Sequence, residues 1–179
     1  MPEKYSALKT EFIAQACHSL LHYHLPRIER SVGRLSKAEV WRRPNPASNS
    51  IGNLLLHMEG NVRQWIISGL GGAPDRRRRD LEFRELGPLP PRETLARLAQ
   101  TVREAAGVLA RLSAADLLRR YEIQGFRVTG LEAAFHVAEH FAFHTGQIIY
   151  ATKSLRGEDL GFTRLPGEKR TRKNRLPPF

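Results

Sequence analysis

The sequence predicts an all-α fold: a four-helix bundle with a long crossover between helices 2 and 3 and an irregular basic C-terminal tail. Three observations predict it. Four long segments carry apolar residues at helical spacing, no convincing sheet pattern appears, and capping or breaking residues mark the segment ends. At 179 residues the chain suits one domain with a real core, with the bundle at residues 1–160 and the tail at 161–179.

The first helix is expected over residues 3–33, where Leu8, Phe12, Ile13, Cys17, Leu20, Leu21 and Leu25 trace one stripe. Pro26 should kink or locally interrupt it. Ser36 to Glu39 reads as a capping box for one short turn. The loop RRPNPASNS follows, and Asn49 or Ser50 caps a second helix from Ile51 to about Ser68, closed by Gly69, Gly71 and Gly72. The polar connection from Gly69 to Pro90 exceeds most loops of compact domains, so it is a crossover or a functional lid. Pro91 opens a third helix to about Leu112, with Leu95, Leu98, Val102, Ala105, Leu109 and Leu112 on its apolar side. Ser113 to Asp116 caps another short turn, and RRYEIQGFRV reads as an extended or hairpin-like piece around Gly125. Thr129 to Glu132 is a further capping box, opening a fourth helix to about Leu155.

Composition removes several function classes. No apolar run approaches the ~20 residues of a membrane span, and the N-terminus lacks a signal-peptide pattern. Cys17 is alone, so no internal disulfide forms, and a cytoplasmic location is expected. The net charge of +11 invites a nucleic-acid reading. Residues 164–175, however, hold six basic residues and one acidic, and account for about half of the excess. Neither that run nor Arg76–Arg79 comes with a recognition motif, so a solvated surface is the better reading and nucleic acid an unfavoured partner. A homodimer suits a bundle of this size, although no apolar face is clearly left over for one.

Chemistry is signalled by two matching polar stripes. Asn53, His57, Asn61 and Gln64 follow spacings of 4, 4 and 3 residues on the second helix, and His136, His140, His144 and Gln147 repeat them on the fourth. Each set spans a narrow sector of its helix beside Leu54, Ile66, Ala134, Phe141, Ile148 and Ile149. So many polar groups beside a core are costly unless they pair or bind something. Histidines four residues apart can bite one metal ion, and His57 could add a ligand from the other helix. Three neutral imidazoles suit zinc, nickel, iron or copper by ligand type. They leave a position open for Lewis-acid chemistry on water or a thiol. Asn61 and Gln147 are placed to support such ligands.

Two protease patterns fail. His140 to His144 has zincin spacing, but Phe141 stands where the glutamate belongs. His136 to His140 matches the inverted HxxEH pattern, but that pattern is short and often fortuitous and belongs to much larger chains with a distant third carboxylate ligand, so a protease is the unfavoured reading.

The same residues resemble the DinB/YfiT-like superfamily of metalloenzymes. Asn49-Ser50-Ile51 through Leu54 and His57 to Asn61 matches its second-helix pattern, and His140, His144, Gly146, Gln147 and Ile148 match its last helix. Glu39 to Pro46 resembles its ELWRRPNP-like segment, and Arg79, Asp80, Glu82 and Phe83 look like the R-D-x-E-F stretch of a branch with no assigned reaction. The match covers about residues 35–153. Residues Arg164 to Gly167 depart from the S-I-P-R-G stretch expected of that branch. The resemblance implies a divalent ion, zinc or nickel first, on His57, His140 and His144, with His136 in a supporting role. It also implies a small-molecule substrate and thiol-dependent S-transfer or a related hydrolysis, with a low-molecular-weight thiol as a second cofactor. Arg77–Arg79 could hold a carboxylate or such a thiol, though a solvated loop is the simpler reading. The alternatives are a non-enzymatic metal- or ligand-binding bundle of stress-response type, and nucleic-acid association through the basic tail.

Overall fold

The computed structural model describes residues 2–87, 89–162 and 167. Four long helical rods pack side by side around one apolar interior. The first rod is α1 (Pro2–His18), a π-helical turn over Ser19–His24, and α2 (Leu25–Val32). The expected kink at Pro26 takes the form of this wider turn, in which the Leu25 N–H donates to the Leu20 carbonyl five residues back. Proline has no N–H to give and its ring crowds the preceding turn, so a widened turn just before it lets the helix continue.

The short α3 (Lys37–Trp41) begins at the predicted Ser36–Glu39 capping box. The second rod is α4 (Ile51–Val62), capped by Ser50 rather than Asn49, and continues as a π-helical stretch over Arg63–Leu70. Gly69 therefore does not stop the helix. A Cβ there would lie 2.5 Å from the Ile123 Cδ1, so this glycine admits a side chain from the hairpin that follows later. Gly71 caps the rod and Gly72 carries the positive φ of 76°.

The crossover holds a helix of its own, α5 (Arg79–Arg84), and returns to the third rod, α6 (Pro91–Arg111). The turn α7 (Ala114–Leu118) leads into an antiparallel hairpin of β1 (Arg120–Ile123) and β2 (Phe126–Thr129), in which Arg120 pairs with Thr129 and Ile123 with Phe126. Its turn residues Gln124 and Gly125 both have positive φ, 55° and 81°, as a tight two-residue hairpin loop requires. The fourth rod, α8 (Gly130–Arg156), starts at the Thr129–Glu132 capping box and ends at Gly157 in the left-handed conformation.

Leu55, Met58, Ile66, Leu98, Leu109, Val137, Phe141 and Ile148 meet in the middle, each 1% exposed or less. Beyond α8 the chain stays packed at least to Leu160, which is 2% exposed. Apart from Gly167, the basic run 164–175 lies outside the described residues. No described helix is long and apolar enough to cross a membrane. In contrast to the expectation that no apolar face is left over, α8 leaves Phe135, Phe143 and Tyr150 in solvent.

The α7–α8 junction rests on one close approach. A Cβ on Gly130 would press on the Asp116 carbonyl oxygen and lie 3.1 Å from the Leu117 Cα, both backbone atoms. Gly130→Ala should therefore cost about 1–3 kcal/mol by overpacking and lower Tm by roughly 2–10 °C. The same change at Gly146, where a Cβ meets nothing within 4 Å, should be neutral or stabilising. Thermal melts of the two variants check the pair.

Candidate metal centre

Helices α4 and α8 face each other along their polar stripes. The His57 Nε2 lies 3.0 Å from the His140 Nε2, which lies 3.1 Å from the His144 Nε2. One turn further along, the Asn61 amide stands 3.4 Å from the His136 Nε2. His57 is 6% exposed, beneath the Phe83 ring at 4.7 Å between centroids. His136 packs on Trp65 at 4.1 Å, and Phe143 sets its ring against His144 at 5.2 Å.

The partners of the outer nitrogens bias the tautomers of His57 and His144. The His57 Nδ1 is 2.9 Å from the Glu82 Oε2, and the His144 Nδ1 is 2.7 Å from the Gln147 Oε1. An ionised carboxylate and an amide oxygen only accept, so they draw the proton to both Nδ1 atoms, at His57 in competition with the Arg77 Nη2 donor 3.1 Å from the same nitrogen, and both Nε2 atoms then turn a lone pair inward. A proton on the His140 Nε2 can satisfy one of those lone pairs and not both. A cation at the convergence point satisfies all three. A tetrahedral ion with bonds of roughly 2.0–2.1 Å holds its nitrogens about 3.3 Å apart, close to the observed spacing. Among the described residues, His57, His140 and His144 form the group whose ligand atoms lie within 4.8 Å of one another. His136 lies outside it, its ring 5.6 Å from that of His140.

The electrostatics favour neutral rings, the form that binds a metal. Burial, then the neighbouring His144, His57, His136 and Arg77, pushes the His140 pKa down to about 3. Burial also lowers His144 and His136. Burial alone would raise Glu82, but hydrogen bonds from Arg77 and His57 outweigh it and keep the carboxylate ionised below its ordinary range.

The crossover is a lid anchored by the α4 stripe. Arg77 forks onto Glu82, Nε to Oε1 at 2.7 Å and Nη2 to Oε2 at 2.9 Å. Its Nη1 donates to the Gln64 Oε1 at 2.9 Å, and the Gln64 amide donates to the Asp75 Oδ2 at 2.8 Å. Asn53 donates to the Glu82 and Glu85 carbonyls at 2.9 and 2.7 Å and accepts from Arg43 at 3.0 Å, and Arg43 also donates to the Phe83 carbonyl. Asn53, His57 and Gln64 on the second rod thus hold the lid, while His57 and Asn61 reach across to α8. The Asn61 Oδ1 is buried without a partner.

The solvated-loop reading of Arg77–Arg79 needs correction at one residue. Arg78 and Arg79 are exposed, whereas the Arg77 side chain is only 3% exposed because its charge is spent on Glu82. In the sequence Glu82 stands out only as one letter of the R-D-x-E-F stretch. A carboxylate within a few residues of an arginine in a long glycine-bounded connection was the available sign, and its partner on α4 is set only by folding. Gly60 is the hidden enabler. A Cβ there would overlap the Glu82 Oε1 and lie 2.9 Å from the Arg77 Nε, so the lid can approach α4 only over a glycine.

Acid should weaken the metal-free fold. The native state holds His140 neutral down to about pH 3, while the unfolded chain takes up the proton near 6.5. The unfolded form therefore binds more protons between those values, and stability present above pH 6.5 is lost progressively as pH falls toward 3. Melting temperature measured against pH should show this fall, with a shallower slope in His140→Gln. Gly60→Ala, which levers Glu82 away from His57, should weaken divalent-metal uptake about tenfold in a chelator competition.

No curated protein matches the chain. Among solved structures, it is similar to a conserved protein from Enterococcus faecalis at 16% identity, with a TM-score of 0.65 over 86% of this chain and 98% of that one. It is similar also to a DinB-like protein, YjoA, from Bacillus subtilis at 17% identity, with a TM-score of 0.61 over 90% of this chain and 99% of that one. At such identities the likeness establishes a shared helical fold, in keeping with the DinB/YfiT-like resemblance of the motifs. Residues 8–169 match the family described as "Protein of unknown function (DUF1572)", and the chain belongs to that family.

Proposed function

We propose that the protein is a divalent-metal-dependent enzyme acting on a small molecule by thiol-dependent S-transfer or a related hydrolysis. Zinc or nickel would be held by His57, His140 and His144. The observation that carries the reading is the convergence of three Nε2 atoms, with Glu82 and Gln147 backing the outer nitrogens of His57 and His144. When bound, such an ion supplies Lewis-acid activation of a water or thiol nucleophile. His57 and His140 come from different rods, and three protein ligands leave room for a substrate, as in catalytic rather than closed structural sites. Asn61 orients His136, which burial holds neutral one turn from His140. His136 is thereby placed to take or return a proton during turnover. Phe83 and Trp65 cover His57 and His136 with apolar surface, which strengthens the electrostatics of the site.

Elemental analysis of gently purified protein should find about one equivalent of a divalent transition metal, or take one up on adding zinc or nickel. Less than ~0.2 equivalents with no gain would overturn the reading, because an intact tripod binds far more than that. Glu82→Gln should lower metal affinity about 10–100-fold, since the amide no longer draws the His57 proton outward as strongly, and should also lower the melting temperature, since Arg77 loses its buried counter-charge. His144→Ala separates an enzyme from a purely structural metal site. An enzyme loses turnover and keeps its melting temperature, whereas a structural site loses melting temperature by several degrees.

A further inference from the structure

The seam between α4 and α8 continues past the histidines. On α4 the residues before His57 are Ile51 and Leu54, and on α8 the residues after His144 are Gln147, Tyr150, Ala151 and Ser154. Together with the loop that follows α3 they line a cleft of about 760 Å³. Gln147 belongs to both places, since its Oε1 holds the His144 Nδ1 at 2.7 Å while the residue forms part of the cleft wall. From Gln147 to Ser154 the helix rises about 10 Å. The α3 end of the cleft lies beside the end of α8, where Glu39 pairs with Arg156 at 3.6 Å.

Charge along this cleft is one-sided. Among the described residues that line it, Arg42 is the only charged one and none is a carboxylate. The two adjacent arginines divide their roles. Arg43 is committed to Asn53 and the Phe83 carbonyl, while Arg42 is exposed and makes no ion pair among the described residues. Asn49 and Ser154 add neutral hydrogen-bonding groups above the apolar floor of Leu54 and Ala151.

We propose that this cleft binds an elongated organic monoanion, its charged end at Arg42 and its reacting end toward Gln147 and the three histidines. A single cation matches a carboxylate better than a doubly charged phosphate, and an apolar floor favours an alkyl or aryl body between the ends. The reacting end rests on the metal-enzyme reading, and the anion end does not.

The test uses hexanoate and its neutral counterpart 1-hexanol, titrated into the isotope-labelled full chain and followed by amide shifts. Hexanoate should move the signals of Asn49, Ala151 and Ser154 and bind roughly three- to fivefold tighter than hexanol, the contribution of one exposed ion pair. Arg42→Gln should erase that preference while leaving metal uptake unchanged. With Co²⁺ added as the metal, the methyl end of hexanoate should broaden more than the methylene beside its carboxylate. Equal binding of the two probes, or an undiminished preference in Arg42→Gln, overturns the anion site, and a reversed broadening gradient overturns the orientation. A chain that takes up no cobalt yet keeps the Arg42-dependent preference supports the anion site and overturns the metal reading alone.

Discussion

The buried ion pair between Arg77 and Glu82 is the interaction on which the site's architecture depends. Two charges withdrawn from water are stabilising only if the remaining donors and acceptors are met, and here nearly every one is. Arg77 uses its fork on the carboxylate and its third nitrogen on Gln64, and Glu82 uses its second oxygen to accept from both Arg77 and His57. Removing any member would strand a charge or orphan a donor beside the core. The pair therefore does two jobs at once: it seals the crossover onto α4 and it decides which nitrogen of His57 carries the proton.

The rest of the site follows from that decision. With its proton drawn outward, His57 turns a lone pair toward α8, where Gln147 imposes the same tautomer on His144. Burial keeps His140 neutral between them. Two of the three rings are held from outside the convergence point, His57 by a carboxylate on the lid and His144 by an amide on its own helix. Aromatic rings from the lid and from the π-helical stretch after α4 cover His57 and His136, and Phe143 flanks His144 from the solvent side.

The two π-helical turns fit the same logic of local cost and tertiary return. One precedes Pro26 and lets the first rod continue where an α-helix would clash. The other follows the histidine-bearing turn of α4 and carries Trp65 onto His136 while Gly69 receives Ile123. Wider turns pack less well by themselves, so each persists because neighbouring elements hold it.

Much of the architecture was legible in the sequence because it is set by local periodicity and capping. Four apolar stripes gave the rods, the Ser36, Ser113 and Thr129 capping boxes formed as read, and Gly125 marked the hairpin. The i, i+4 spacing placed His140 and His144 on one face, and the matching stripe of α4 placed His57 to meet them. What periodicity could not give is any contact made across a long connection. Asn53 and Gln64 read as members of a polar stripe, and only folding showed that they hold a lid. Arg77 read as one of four solvated arginines until a carboxylate five residues on and a glycine on another helix buried it. The sequence by itself determined the rods and the residue types that could bind a metal, since both follow from spacing along one helix. The tertiary structure alone decided which histidines converge and which protons face outward, since those depend on side chains brought together from far apart in the chain.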